Sequence, residues 1–279
     1  MLQWIHFPKS TAVAKYIECY WLIEKLDLNA AFAYPKLNPD PSAHLIITPA
    51  LQGYQYQYGS NILQGIGSHW LFPHQQTFEL DHTEAFIYLG VKFKVGALYS
   101  LPITHYCHPI LDNVQSANVE HLASDNLLCI ESLLQTGRDK PHSCVAQLDR
   151  LLLPWLNKAT EDQHSAMARK AIALLDTCPI TNLSDKLHCS QRTLERSFTK
   201  VTGLTMKQYQ SMTKLEAMLT YLYQKDAASI DWVDVALKFG FSDQPHLIRQ
   251  LKKQIGLTPA NYVNERSLTI DVYGSVKPS

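Results

Sequence analysis

Arg196 and Arg249 stand 53 residues apart, each two residues after a leucine (Leu194, Leu247) and seven before the triplets Gly203-Leu204-Thr205 and Gly256-Leu257-Thr258. An arginine carried outward on the first turns of a helix can donate two parallel hydrogen bonds to the edge of a guanine, and a glutamine can pair likewise with adenine. Leu194 and Phe198 are four apart and turn one helical face inward, which leaves Gln191, Arg192, Glu195, Arg196 and Thr199 outward. Leu247 and Leu251 do the same downstream, with Asp243, Gln244, His246, Arg249, Gln250 and Lys253 outward. A basic helix face is by default a solvated surface. Two such faces at equal places in two matched units favour contact with double-stranded DNA instead.

The repeat fixes the elements that carry these residues. At the 53-residue displacement Phe198 matches Leu251, Lys200 matches Lys253 and Tyr209 matches Tyr262; upstream the displacement is 52, with Leu183 matching Val235, Leu187 Phe239 and Ser190 Ser242. A one-residue slip belongs in a turn, which puts turns at His188-Cys189 and Gly240-Phe241. Short helices are expected over Leu183–Leu187 and Val233–Phe239, with Ser190 and Ser242 as N-caps of the second helix in each unit. Pro245 falls in a first turn, where a missing N–H does little harm. Apolar residues at three- and four-residue steps predict a spacer helix over Met206–Gln224.

Net charge is zero, but residues 1–164 carry 10 Lys+Arg against 15 Asp+Glu and residues 165–279 carry 15 against 10. A basic C-terminal part suits attraction to phosphates. A length of 279 residues with 46% hydrophobic content allows two domains and a sizeable core. Six scattered cysteines without C-x-x-C spacing point to reduced thiols rather than a disulfide framework or a zinc finger. No apolar run long enough for a signal peptide or a membrane span occurs, so a cytoplasmic protein without a membrane partner is expected.

The front part is rich in aromatic and β-branched runs, Ile17–Glu24, His44–Thr48, Tyr54–Tyr58, Thr77–Asp81 and Ala85–Phe93, separated by Gly, Pro, Asn and Asp. They predict an α+β chain whose N-terminal part is a small antiparallel barrel or sandwich. Tyr54, Tyr56 and Tyr58 fall on one strand face. Helical spacing over Val119–Leu134 and Cys144–Leu156 follows, with a polar break at Gln135–Ser143. We place the sensor or pairing domain at 1–157, a linker at 158–165, the duplicated helical domain at 166–266 and a tail at 267–279.

These motifs resemble the AraC/XylS family of bacterial transcription regulators. The resemblance rests on Leu183-x6-Ser190-x3-Leu194-x-Arg196-x-Phe198-x4-Gly203-x5-Tyr209, then Ala236-x3-Gly240-Phe241-Ser242-x4-Leu247-x-Arg249-x-Leu251-x4-Gly256-x2-Pro259-x2-Tyr262. It implies two helix-turn-helix units joined by a long helix, with Arg192, Glu195 and Arg196, then Gln244, His246 and Arg249, facing bases or phosphates. Ser184 stands where the family favours Ala, His188 where it favours Gly, Met206 where it often has Pro, and Leu247 and Leu251 where it usually has Phe. Pro39-Asp40-Pro41-x2-His44-Leu45-Ile46 and Leu89-Gly90-Val91-Lys92-Phe93 resemble the sensor domain of one branch, which implies a cupin-like barrel.

A cupin-like barrel raises a second reading, a metal-dependent enzyme with a DNA-binding tail. The spacing of His69, His74 and His82 lacks the His-x-His with a following carboxylate that such a site needs, so no metal, cofactor or catalytic residue is expected. Nucleophile elbow, phosphate loop and dinucleotide fingerprint are also missing from the sequence. By fold analogy a small-molecule effector pocket would draw on Tyr34, His44, Tyr56, Trp70 and Tyr88, although aromatic residues at strand spacing are more often core. A homodimer is the other role open to the front domain.

Overall fold

A computed structural model describes residues 2–26, 33–103, 106, 108–119, 129–223, 225, 230–255 and 258. Among these residues ten strands form two antiparallel sheets. The larger joins β1 (Leu2–His6), β2 (Ile17–Lys25), β9 (Phe86–Phe93), β4 (His44–Ile47), β7 (His69–Leu71) and β10 (Val114–Ser116), in that order. The smaller runs β3 (Lys36–Leu37), β8 (Phe78–Leu80), β5 (Gly53–Tyr58) and β6 (Asn61–Ile66).

Strand β9 is buried along its whole length because both of its faces are covered. Phe86 and Tyr88 point to the core between the sheets, with Trp21, Ile46, Tyr54, Tyr56 and Phe78. Ile87, Leu89, Val91 and Phe93 point the other way, toward α1 (Thr11–Ala14), α2 (Ile130–Asp139) and α3 (Pro141–Leu156). Burying each such large apolar side chain contributes roughly 1.5–3 kcal/mol. Gly90 lies against Trp21: a Cβ there would sit 1.9 Å from the indole Cε2, so the ring occupies space that only glycine leaves.

Several expectations are corrected. Strands β1, β3, β6, β7 and β10 carry weak sequence signals and are set by their partners, as in the register Tyr56↔Leu63 that binds β6 to β5. The break at Gln135–Ser143 shrinks to Lys140, because Leu133, Leu134 and Gly137 of α2 are buried and the Gly137 carbonyl accepts the Trp4 indole N–H at 2.8 Å. Tertiary burial outweighs the low helix propensity of glycine there. Most of the N-terminal part of the helix expected over Val119–Leu134 lies outside the described residues; α2 begins at Ile130.

The polar stretch Asn157–His164, open to reading as a linker or as the frayed start of the next helix, ends in the start of a helix. In α4 (Gln163–Leu175) the Asp162 carboxylate accepts the His164 and Ser165 N–H groups and the Ser165 hydroxyl closes a capping box. Then come α5 (Ile180–Lys186), α6 (Gln191–Thr202), α7 (Met206–Tyr223), α8 (Trp232–Lys238) and α9 (Gln244–Ile255). Helix α7 belongs to two cores. Its Met206, Tyr209 and Met212 pack with Leu183, Leu194 and Phe198, whereas Leu215, Met218, Leu219 and Leu222 pack with Val235, Leu247 and Leu251.

Candidate nucleic-acid interface

Each unit is a short helix, a left-handed turn and a second helix. In the first, α5 ends at Lys186, His188 takes φ +51° and the Cys189 N–H donates to the Ser184 carbonyl at 3.0 Å. In the second, α8 ends at Lys238, Gly240 takes φ +63° and the Phe241 N–H donates to the Ala236 carbonyl at 2.8 Å. The histidine that departs from the family's glycine therefore makes the same turn.

Helix α6 is capped as expected: the Ser190 hydroxyl accepts the Thr193 N–H at 3.1 Å. Leu194 and Phe198 are fully buried, and Arg192, Glu195, Arg196 and Thr199 are exposed. Gln191 is half-buried and its side-chain amide donates to Glu195 Oε1 at 2.7 Å. The Thr199 hydroxyl donates to the Leu204 carbonyl at 3.2 Å, so it ties the end of α6 to the turn that follows. Arg192, Glu195, Arg196 and Thr199 line an open cleft of about 680 Å³ with Ile180, Thr205, Met206 and Lys207. Sequence reading missed Lys207; its position in the first turn of α7, beside the α6 face, is visible only in three dimensions.

The second unit differs from expectation at its cap. Asp243, not Ser242, is the capping side chain: its Oδ1 accepts the His246 N–H at 2.6 Å. A carboxylate in that position also gains from the helix dipole. The Ser242 hydroxyl instead meets His246 Nδ1 at 3.1 Å, and the imidazole stands edge-on to Phe241. His246 thus serves the turn through its Nδ1 edge. Gln250 points to α7, where its amide donates to the Ser211 hydroxyl at 2.7 Å. Arg249 is exposed and Gln244 half-buried on the outer face, with Leu247 and Leu251 fully buried behind them. The side chain of Lys253, and the residues Gly256, Leu257, Pro259 and Tyr262, lie outside the described residues. Lys214 of α7 fixes this unit's turn: its ammonium donates to the Gly240 carbonyl at 2.8 Å and lies 4.0 Å from the centre of the Phe241 ring.

The aromatic set expected in the front domain is brought together only in part: Tyr56 and Tyr88 share the core between the sheets, and Tyr34 and Trp70 lie elsewhere. Tyr34 is 56% exposed, and Trp70 faces the helices, packed on Phe93 and Trp155. Tyr56 and His44 are buried between the sheets, the Tyr56 hydroxyl at 2.8 Å from His69 Nε2 and His44 Nε2 at 3.1 Å from Asp40. Tyr88 lines a cleft of about 660 Å³ with Gln52, Tyr54, Thr83 and Phe86. His74 is bonded to the Asn38 carbonyl and His82 packs on Phe86. Among the described residues no three His, Cys, Asp or Glu side chains are grouped to hold a metal ion.

A capped recognition helix held behind a left-handed turn, made twice around one shared helix, defines a double helix-turn-helix protein. Residues 183–265 match a family described as helix-turn-helix domain, of the AraC type, and residues 6–104 match a domain of unknown function, DUF6597. Residues 183–265 are thus a helix-turn-helix domain of the AraC type, which defines the class of the C-terminal part as DNA-binding. It is similar to the bifunctional transcriptional activator/DNA repair enzyme AdaA of Bacillus subtilis, 31% identical over 83 residues, 30% of this chain. It is also similar to the HTH-type transcriptional regulator RipA of Corynebacterium diphtheriae, 28% identical over 134 residues, 47% of this chain. The chain covers 38% of the length of each of these relatives. Among solved structures, ToxT from Vibrio cholerae O395 overlaps with a TM-score of 0.47 at 11% identity, over 90% of this chain and 96% of that one. At that overlap nothing is carried over to this chain. Among the described residues no helix is long and apolar enough to cross a membrane.

Proposed function

We propose that the protein is a cytoplasmic transcription regulator whose helices α6 and α9 enter two segments of the major groove of one DNA site. The observation that carries this reading is the pair of exposed arginines, Arg196 and Arg249, each on a helix backed by fully buried apolar residues. Arg192 and Lys207 suit phosphate contacts that position the first unit. Gln191, Glu195, Thr199, Gln244, His246 and Lys253 complete the set of contacts to bases and backbone. The regulatory role of RipA and AdaA supports the same reading.

The front domain is the sensing or pairing part in this proposal. The cleft beside Tyr88 has a volume in the range of small-molecule sites, which supports an effector there, and pairing of two chains would double the contacted DNA. No observation favours the metal-dependent enzyme as a second reading.

Selection of bound fragments from genomic DNA, followed by titration of the selected site, tests the proposal. Arg196→Ala and Arg249→Ala should each weaken specific binding by about 1–3 kcal/mol while non-specific binding changes less. Unchanged affinity and unchanged sequence preference in both variants would remove the assignment.

A further inference from the structure

Lys92 is a buried charge that neither the DNA face nor the apolar core explains. It extends from β9 at one end of the space between the sheets, and only 3% of its side chain is exposed. Its ammonium lies 3.1 Å from Asp40 Oδ2 and 3.8 Å from both Glu18 Oε1 and Glu216 Oε1. Asp40 and Glu18 belong to the front domain. Glu216 comes from α7, the helix that carries both DNA units.

The front domain's own partners are enough for this lysine. Asp40 is itself held by the Ser42 N–H at 2.7 Å and by His44, so the Asp40–Lys92 pair has all of these partners within the front domain. Burial alone would discharge Lys92, but Asp40, then Glu216 and Glu18, reverse that and hold its pKa above the usual range. Glu216 keeps about a third of its side chain exposed and can return to water without orphaning a charge. Contact between the front domain and the helical part otherwise falls on the first unit and its leading helix. Val95 and Leu111 pack on the first unit's core, Gln208 donates to Gln75 at 2.6 Å, and the Tyr99 hydroxyl donates to Asp162 at 2.7 Å. Among the described residues, the second unit's core draws on α7, on α8 and α9, and on the segments joining them.

We infer that Lys92 and Glu216 form an interdomain latch, which docks α7 on the front domain beside the first unit's own contacts and can open while both domains stay folded. It fixes one reading helix to the sensing domain and leaves the other attached through α7 alone. This inference goes beyond the proposed function and does not depend on which bases are read.

The full-length protein tests it through trypsin cleavage after Lys158, in the stretch between α3 and α4, and through small-angle scattering. Glu216→Gln should raise the cleavage rate roughly fivefold or more, the low end of coupling between sites, and enlarge the radius of gyration. Its circular dichroism should match the parent. Asp40→Asn with Lys92→Met removes both charges of the front-domain pair and should open the domains equally, with no further effect of adding Glu216→Gln. Parent-like cleavage and scattering in a folded Glu216→Gln protein would overturn the latch, and so would additive effects in the triple variant.

Discussion

His188 and Gly240 occupy the same position in two copies of one turn, both with left-handed backbone, at φ +51° and +63°. The repeat therefore holds its geometry where its sequence does not. A side chain in this region costs roughly 1–2 kcal/mol, and only glycine escapes most of it.

His188→Gly should accordingly stabilise the first unit by about 0.5–1 kcal/mol, the gain being reduced by the greater freedom of glycine in the unfolded chain. Gly240→Ala should destabilise the second by about 1–2 kcal/mol. Space is not the obstacle at Gly240, where the nearest atom to an added Cβ is Lys214 Nζ at 3.7 Å. Denaturant midpoints moving in the same direction for both variants would contradict the shared turn.

Lys214→Met should cost about 1–2 kcal/mol, since it removes a charged hydrogen bond to the Gly240 carbonyl and a cation from the Phe241 ring. The loss should appear as faster amide hydrogen exchange in α8 and α9, with α5 and α6 unchanged. Equal acceleration in both units would show that Lys214 supports the whole domain instead.

Acid should weaken the front domain before its carboxylates titrate. Burial holds His69 down to about 4 and His82 down to about 3. In the unfolded chain both titrate near 6.5, so below that pH the unfolded state binds more protons. Stability then falls as pH falls, by up to about 1.4 kcal/mol per pH unit for each group, and is unaffected by them above about 6.5. Thermal unfolding followed from pH 7 to 5 should show the decline, and His69→Gln should lessen its slope. A melting temperature independent of pH in that window would count against both buried neutral rings.

Gly90→Ala should be among the most damaging single-methyl additions in the front domain, because the new carbon would lie inside the Trp21 ring. Forcing one methyl into a filled core costs about 1–3 kcal/mol. Combining it with Trp21→Leu should recover part of the lost melting temperature, and failure of that rescue would place the strain elsewhere.

The helical half was largely legible in the residues. A 52- and 53-residue repeat with paired leucines, a cap and a closing glycine leaves little freedom, and α6 begins one residue after Ser190 as the repeat requires. What escaped was side-chain traffic between elements. Asp243 outcompetes Ser242 for the cap, Gln250 turns to Ser211, and Lys207 joins the α6 face from a neighbouring helix, none of which periodicity encodes. In the front half the strong strands were readable because they alternate apolar residues or bury both faces. Two- and three-residue strands such as β3 and β10 exist only through their partners. Fold analogy groups Trp70 with Tyr56, but strand parity turns Trp70 to the face of the larger sheet that meets the helices, away from the core between the sheets.

Because α7 enters both helix-turn-helix cores, it works as a splint that sets the phase between α6 and α9. One residue inserted near Thr213 would turn the second unit by about 100° and shift it by about 1.5 Å relative to the first. Under the proposed function, length in this helix is as constrained as any side chain on the outer faces of α6 and α9, because a count of residues in α7 fixes how far apart those faces stand.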